Sequence, residues 1–219
     1  MKKLILALAS LVGFASVSLG FETHGDVTLS KIKEYKSFFT KNTCDQVLTD
    51  TFTICYSHER KSATAVYVEV TGDTVEKDID KRPPFFTDKR VKKEFRTTSK
   101  DYTNTGYDRG HFGASDASHD WDKKHQKATY SMANIVPQTP FANRYKFIAL
   151  EKHEREMAVK YGRLENLTIA YWNKRPKKIG KSELHVPSAF AKIFTDGKNY
   201  QECFFIWNND EYDKSNGQD

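Results

Sequence analysis

Cysteine, proline and glycine are all scarce in this chain: 3, 6 and 11 of 219 residues. Three cysteines are too few to frame a disulfide-built miniature scaffold. So little proline and glycine leaves no long linker and no low-complexity segment, and no internal repeat is visible. One-sided charge is missing as well, since 35 Lys and Arg face 29 Asp and Glu for a formal net charge of +6. That excess permits a nucleic-acid partner without requiring one. Beyond residue 20 no apolar run approaches the ~18–20 residues of a membrane span. What is present is 38% hydrophobic and 13% aromatic, which is too apolar for a disordered chain. The composition describes a soluble globular domain.

The one apolar run lies at the start. Met1-Lys2-Lys3 precedes Leu4 to Ala15, and small residues follow. This pattern predicts a secretory signal over residues 1–20, cut after Gly20 or, as the second choice, after Ser18. Its removal takes two lysines and no acid, leaving 33 basic against 29 acidic residues, a net of +4. Residues 21–219 are then read as a single domain, exported to the periplasm or beyond, with no membrane association after signal removal. In an oxidising compartment Cys44 and Cys55 are able to close a short loop around Thr49-Asp50-Thr51. Cys203 would then be a buried thiol, although spacing alone does not fix the pairing.

Along the mature chain a weak helical pattern covers Leu29–Phe39. Residues 51–56 and 64–71 are alternating and β-branched, which predicts a hairpin. A charged loop follows, broken by Pro83-Pro84. A short strand is expected at Tyr107–Phe112, a loop through His119–His125, and an apolar stretch at Met132–Pro137. The best helix begins at Asn143, with Phe147, Leu150, Met157, Ala158 and Tyr161 on one face. A strand at Asn166–Trp172, a basic turn at Lys174–Lys178 and closing strands at Val186–Phe194 and Glu202–Trp207 complete the pattern. Asn208–Asp219 reads as a frayed end. The fold class is α+β, an antiparallel sheet core with packed helices.

Two clusters carry chemistry. In Asp108-Arg109-Gly110-His111, neutral imidazole can take a proton from water near neutral pH. An arginine offers a planar fork to phosphate oxygens, and glycine lets backbone approach closely. In Asn143…Glu151…Arg155, the helical period puts the last two beside the apolar face and leaves Asn143 at the helix entrance. Taken singly, each has a plain structural reading: a solvated loop, and an N-cap followed by an ordinary ion pair.

Together with Asn134-Ile135-Val136-Pro137-Gln138, the two clusters resemble the DNA/RNA non-specific endonuclease family, the ββα-metal nucleases. Weaker echoes are the Tyr67–Val70 strand, Arg82 before Phe85-Phe86, and Val186-Pro187…Phe190…Lys192. The likeness runs over about residues 50–207. It implies a ββα-metal motif and an endonuclease cutting DNA and RNA without sequence preference to 5′-phosphate and 3′-hydroxyl ends. His111 would be the general base. Asn143 would be the direct ligand of a single divalent ion, Mg²⁺ with Mn²⁺ as a substitute, and Glu151 would reach that ion through water. Arg82, Arg109 and Arg155 would contact phosphates, Asn134 would serve the substrate and support the site by hydrogen bonding, and Asp108 would position the metal cluster or the strand. Some members dimerise, and nothing in this chain decides that point.

One departure stands out: some members carry a second asparagine where this chain has Tyr130. The His119–His125 loop has the composition of a second metal site, but such loops are more often solvated. His153 reads as surface or ion-paired, and His58 and His185 as structural. The remaining cations are dispersed over Lys89-Arg90, Lys92-Lys93, Arg144, Lys146, Arg163 and the 174–178 turn. Dispersed cations without base-reading devices fit backbone binding. The rival readings are a non-catalytic nucleic-acid-binding protein and another metal-dependent phosphoesterase.

Overall fold

The longest strand grows from the β-branched and aromatic run at residues 62–71, and the rest of the fold is laid down on both sides of it. The structure is a computed structural model that describes residues 22–23, 39–75, 77, 79, 81–119 and 121–210. The expected signal segment, and all but the last residue of the 29–39 helical pattern, lie outside the described residues.

The main sheet contains β1 (Glu22–Thr23), β2 (Gln46–Thr49), β3 (Thr53–Ser57), β4 (Ser62–Thr71), β7 (Arg163–Tyr171), β10 (Ala189–Thr195) and β11 (Gln201–Trp207). Its order is β1-β11-β10-β7-β4-β3-β2, and every pairing is antiparallel. Two small antiparallel pairs lie outside it: β5 (Asp108–His111) with β6 (Ile135–Gln138), and β8 (Lys178–Ile179) with β9 (Leu184–His185). Among the described residues the α-helices are α1 (Lys123–Thr129) and α2 (Ile148–Tyr161). The latter continues from a wide π-helical turn at Ala142–Phe147. The fold class is α+β, and no described helix is long and apolar enough to cross a membrane.

Side chains alternate across a strand, so one register line gives one face. The line Ile54–Val66–Thr168–Lys192–Phe204 crosses five strands. Its apolar members join the main core with Phe112 and Val136 from the β5–β6 region and Phe147 and Leu150 from the helix. The adjacent line puts Cys55, Ala65 and Ile169 on the opposite face, over a smaller cluster that includes Cys44 and Ile193. There the Cys44–Cys55 disulfide closes with Cα atoms 5.2 Å apart. Cys203 is a free thiol and only partly buried, where a buried one was expected.

Several local expectations are corrected. The 119–125 segment is not all loop: α1 starts at Lys123 because the Asp122 carboxylate accepts the N–H groups of Lys124 and His125. Asn143 is not the cap of the long helix. Thr139 precedes Pro140, and its hydroxyl and carbonyl oxygens accept from Ala142 and Asn143 N–H, so the helical turns begin before Asn143. Met157 is only partly buried and Tyr161 is exposed, so the buried stripe of α2 runs through Leu150, Glu154 and Ala158 instead. Residues 208–210 are not frayed. Asn208 Nδ2 donates to the carbonyls of Pro137 and Pro187, and its Oδ1 accepts from Thr139 N–H. The Asn209 carbonyl and the Asp210 carboxylate accept from Thr139 and Phe141, which ties the chain's end to the entrance of the helix.

Candidate active site

The β5 strand brings Asp108 and His111 beside the wide helical turn. Gly110 is required there by close approach: a Cβ would come within 2.1 Å of the buried Gln138 side chain on β6. Asp108 then grips the helix. Its Oδ2 accepts from Asn143 Nδ2 at 3.1 Å, and its two oxygens take a bidentate bond from Arg144 at 2.8 and 2.9 Å. The Arg144 bonds, with the Asn143 bond adding to them, hold the Asp108 carboxyl below its ordinary range. Because its nitrogen end faces Asp108, Asn143 presents its carbonyl oxygen elsewhere.

His111 packs among aromatic rings. Tyr130 meets it edge-on with centroids 5.0 Å apart, and Phe85 lies 6.0 Å away. Its Nε2 is buried without a hydrogen-bond partner. Burial pushes the imidazole down to about 3, and the nearby positive Arg82 adds to the effect. The ring is therefore neutral, and a lone pair is free, throughout the physiological range. Tyr130 supplies a wall of this pocket.

The arginines divide by surroundings. Arg82 is 76% exposed at its side chain and pairs with the buried Asp116 at 3.1 Å. Arg109 is exposed, and its guanidinium lies 4.9 Å from the Phe85 ring centroid. Arg155 donates to the main-chain oxygen of Glu151 at 3.1 Å rather than to its carboxylate. Glu151 is partly buried, and burial pushes it up to about 7 while Lys192 pulls the other way.

Asn134 sits behind this surface, and its place among substrate contacts is corrected. The residue is 0% exposed. Its Oδ1 accepts from Gly113 and Ala114 N–H, and its Nδ2 donates to the Ala114 and Thr129 carbonyls. All its capacity is spent on holding the backbone after His111.

Below the helix lies a buried polar layer that sequence reasoning missed in part. Glu154 accepts from Ser118 Oγ at 2.8 Å and from Asn166 Nδ2. Lys192, 1% exposed, stands on the central register line with its amine 5.3 Å from the Phe147 ring. Burial lowers its pKa, and the negative charges of Glu154 and Glu151 counter that. The signal for Glu154 was available: it lies three residues after Glu151 and four after Leu150, on the stripe facing the sheet. For Asn166 it was hidden inside a strand, while Lys192 stands in the sequence only as part of a weak echo, without its burial.

The histidine-rich loop forms no metal cage. Among the described residues no three His, Cys, Asp or Glu side chains converge on a metal position. His125 instead pairs with Asp122 at 2.6 Å, and His119 Nδ1 contacts the Ser115 carbonyl oxygen. His153 pairs with Glu202 at 2.6 Å, while His58 stacks on Phe95 and His185 bonds Arg60. A lone asparagine oxygen with a carboxylate along the same helix does fit one hard cation, which keeps most of its own water and takes few protein oxygens.

A family model described as DNA/RNA non-specific endonuclease matches residues 32–218. Human mitochondrial endonuclease G is 28% identical over 155 residues, covering 66% of this chain and 52% of that protein. The bovine protein is 28% identical over 153 residues, at 65% and 51% coverage. A nuclease from a Nostoc species is 37% identical over 98 residues, at 45% and 35%. The chain spans about half the length of the curated relatives it matches. A crystal structure of an EndoG/EndoGI complex superposes with a TM-score of 0.69 over 84% of this chain and 82% of that one, at 22% identity, which is a likeness of fold.

Proposed function

Because this chain belongs to the DNA/RNA non-specific endonuclease family, we propose that it hydrolyses phosphodiester bonds in DNA and RNA without sequence preference. The observation that carries this reading is the pairing of two orientations. Asp108 fixes the Asn143 amide by its nitrogen end, and His111, on the same strand as Asp108, is neutral with its Nε2 free of any hydrogen-bond partner. In the reaction, water oxygen bonds to phosphorus as His111 takes one of the water's protons. The bond to the 3′ oxygen breaks, leaving a 5′-phosphate and, after protonation, a 3′-hydroxyl. Arg82 and Arg109, both exposed, meet the phosphate oxygens, and Arg155 supports them from α2.

Asn143 would hold a divalent ion directly, and Glu151 would hold it through water; Mg²⁺ suits the donor set and Mn²⁺ can replace it. When bound, that ion supplies charge stabilisation at the phosphate and the leaving oxygen. Export is part of the same proposal: the Lys2–Ala15 pattern supports it, and so does a disulfide, which persists in oxidising compartments.

The test is digestion of plasmid DNA and of RNA by purified protein, with Mg²⁺ and with EDTA, beside His111→Ala. The expected result is metal-dependent nicking of both polymers that the variant loses. Undiminished cutting by His111→Ala would overturn the base assignment.

A further inference from the structure

The basic turn after β7 takes no part in the chemistry around His111, yet it is built into the same wall. Residues 174–183 carry five cations, Lys174, Arg175, Lys177, Lys178 and Lys181, against one acid, Glu183. Lys178 pairs with Glu183 at 3.5 Å. The other four cations are exposed, and none of them forms an ion pair with a described acid.

A merely solvated turn would need no anchoring, and this one is pinned along its length. Ser182 N–H donates to Asp101 Oδ1 at 3.0 Å, and Lys61 Nζ donates to the Ser182 carbonyl. Val186 N–H reaches the Lys177 carbonyl at 2.8 Å, and His185 N–H the Arg60 carbonyl at 3.2 Å. Gly180 has φ +68°, and a Cβ there would lie 2.6 Å from Asp101 backbone, so the approach is fixed. Beneath the turn, Ile179, Leu184 and Val186 pack with Tyr102, Met132 and Ile135, and with partly buried Phe85 and Tyr107. These last two rings connect the turn to the site. Phe85 carries Arg109 and neighbours His111, while Lys177 Nζ lies 4.8 Å from the Tyr107 ring.

We propose that Lys174, Arg175, Lys177 and Lys181 form a second phosphate-binding ridge, which grips the nucleic-acid backbone several nucleotides from the bond cut at His111. The inference rests on the nuclease reading and extends it from one phosphate to a length of polymer. Tyr107 precedes His111 by four residues of near-extended chain, about 13 Å at ~3.3 Å per residue. One strand of a duplex presents a phosphate every ~3.4 Å along its axis, so that span is about four nucleotides. Among the described residues no ion pair has to break before these four cations meet phosphates. They offer no base-edge geometry, so the grip is indifferent to sequence.

The experiment replaces Lys174, Arg175, Lys177 and Lys181 with Gln in the full protein, in two backgrounds. In the His111→Ala background, binding to a 30-base-pair duplex is measured as a function of salt. The expected result is a log–log slope shallower by about two to four, from ~0.9 per lost duplex phosphate contact. With His111 intact, cleavage of the 30-mer should fall at least tenfold. Hydrolysis of bis(p-nitrophenyl) phosphate should stay within twofold, since that substrate is too small to reach the ridge. An unchanged salt slope, or an equal loss on both substrates, overturns the ridge. Binding runs in the non-cleaving background, so it reads the ridge even if the parent protein cuts nothing, a result that would instead remove the nuclease reading.

Discussion

Replacing Asp108 with alanine separates what holds the fold from what aims the site. The substitution removes a bidentate pair to Arg144, whose side chain is 61% exposed, and a charge-assisted bond to Asn143. An exposed pair of this kind contributes little, because solvent screens it. The Asn143 bond to a carboxylate contributes roughly 1.5–3 kcal/mol. The expected cost to stability is therefore about 1.5–3 kcal/mol, set by the Asn143 bond, or a fall of roughly 3–12 °C in Tm for a protein of this size. The larger effect is on orientation. Without Asp108 the Asn143 amide loses the bond that distinguishes its nitrogen from its oxygen, and a supporting contact of this type is worth about 10–100-fold in metal affinity. Arg144→Ala is the control, because it deletes the exposed pair and leaves the Asn143 bond in place. The assay is a Mg²⁺ titration of plasmid nicking, read beside thermal melts in EDTA. Asp108→Ala should move the Mg²⁺ midpoint upward by at least tenfold, and Arg144→Ala by less than threefold. Equal midpoints for Asp108→Ala and the parent, despite a lowered Tm, would refute the reasoning, as would an Arg144→Ala shift as large as that of Asp108→Ala.

Other outcomes follow from the same structure. Burial holds His111 near about 3 and His119 near about 4, below the ordinary 6.5, so the folded protein binds fewer protons than the unfolded chain and loses stability as pH falls below about 6.5. Glu151, pushed up to about 7, acts oppositely: stability is lost as pH rises from about 4.5 to about 7. Metal-free urea melts from pH 4 to 8 should show a flatter acid loss for His111→Asn and a steeper pH slope for Glu151→Gln; parallel curves for all three proteins would count against these burial effects. Asn208→Ala removes three hydrogen bonds at the helix entrance and should lower stability by about 2–3 kcal/mol in denaturant melts; a loss under 0.5 kcal/mol would mean the contacts are not formed in solution. Reducing the Cys44–Cys55 bridge, which spans 11 positions, should cost about 3 kcal/mol, seen as a lower urea midpoint with dithiothreitol that Cys44→Ser reproduces. A midpoint insensitive to reductant would contradict it.

The candidate site residues that share one short stretch were legible in the sequence; the side chains that meet across the fold were less so. Asp108 to His111, Asn143 and Glu151 carry their types and spacing openly, and alternation located β4, β7, β10 and β11 to within a few residues. The polar layer was concealed by its own setting. Asn166 and Lys192 occupy inward positions of strands, and only the registers that pair β7 with β4 and with β10 put them on two same-face lines, two residues apart. Short β2 and short α1 escaped because their sequences are polar; one is fixed by pairing with β3 and the other by the Asp122 cap. Phe85, Tyr130 and Asp116 were missed as site walls for a different reason. Aromatic and acidic residues are common, and nothing local says that a loop from residue 82 and another from residue 130 will meet at His111.

The Asn208 clamp also bears on timing. Synthesis runs from the N-terminus, so the strand carrying Asp108 and His111 and the helix carrying Asn143 and Glu151 both leave the ribosome well before residues 208–210. Until those residues arrive, Thr139 lacks two partners and Phe141 one, and the turn that aims Asn143 has no lock at its base. The candidate site around Asp108 and Asn143 is thus among the last parts of the described chain to be locked in place. A nascent or truncated polypeptide ending short of residue 208 would carry Asp108, His111, Asn143 and Glu151 and still lack the contacts that set the turn between them.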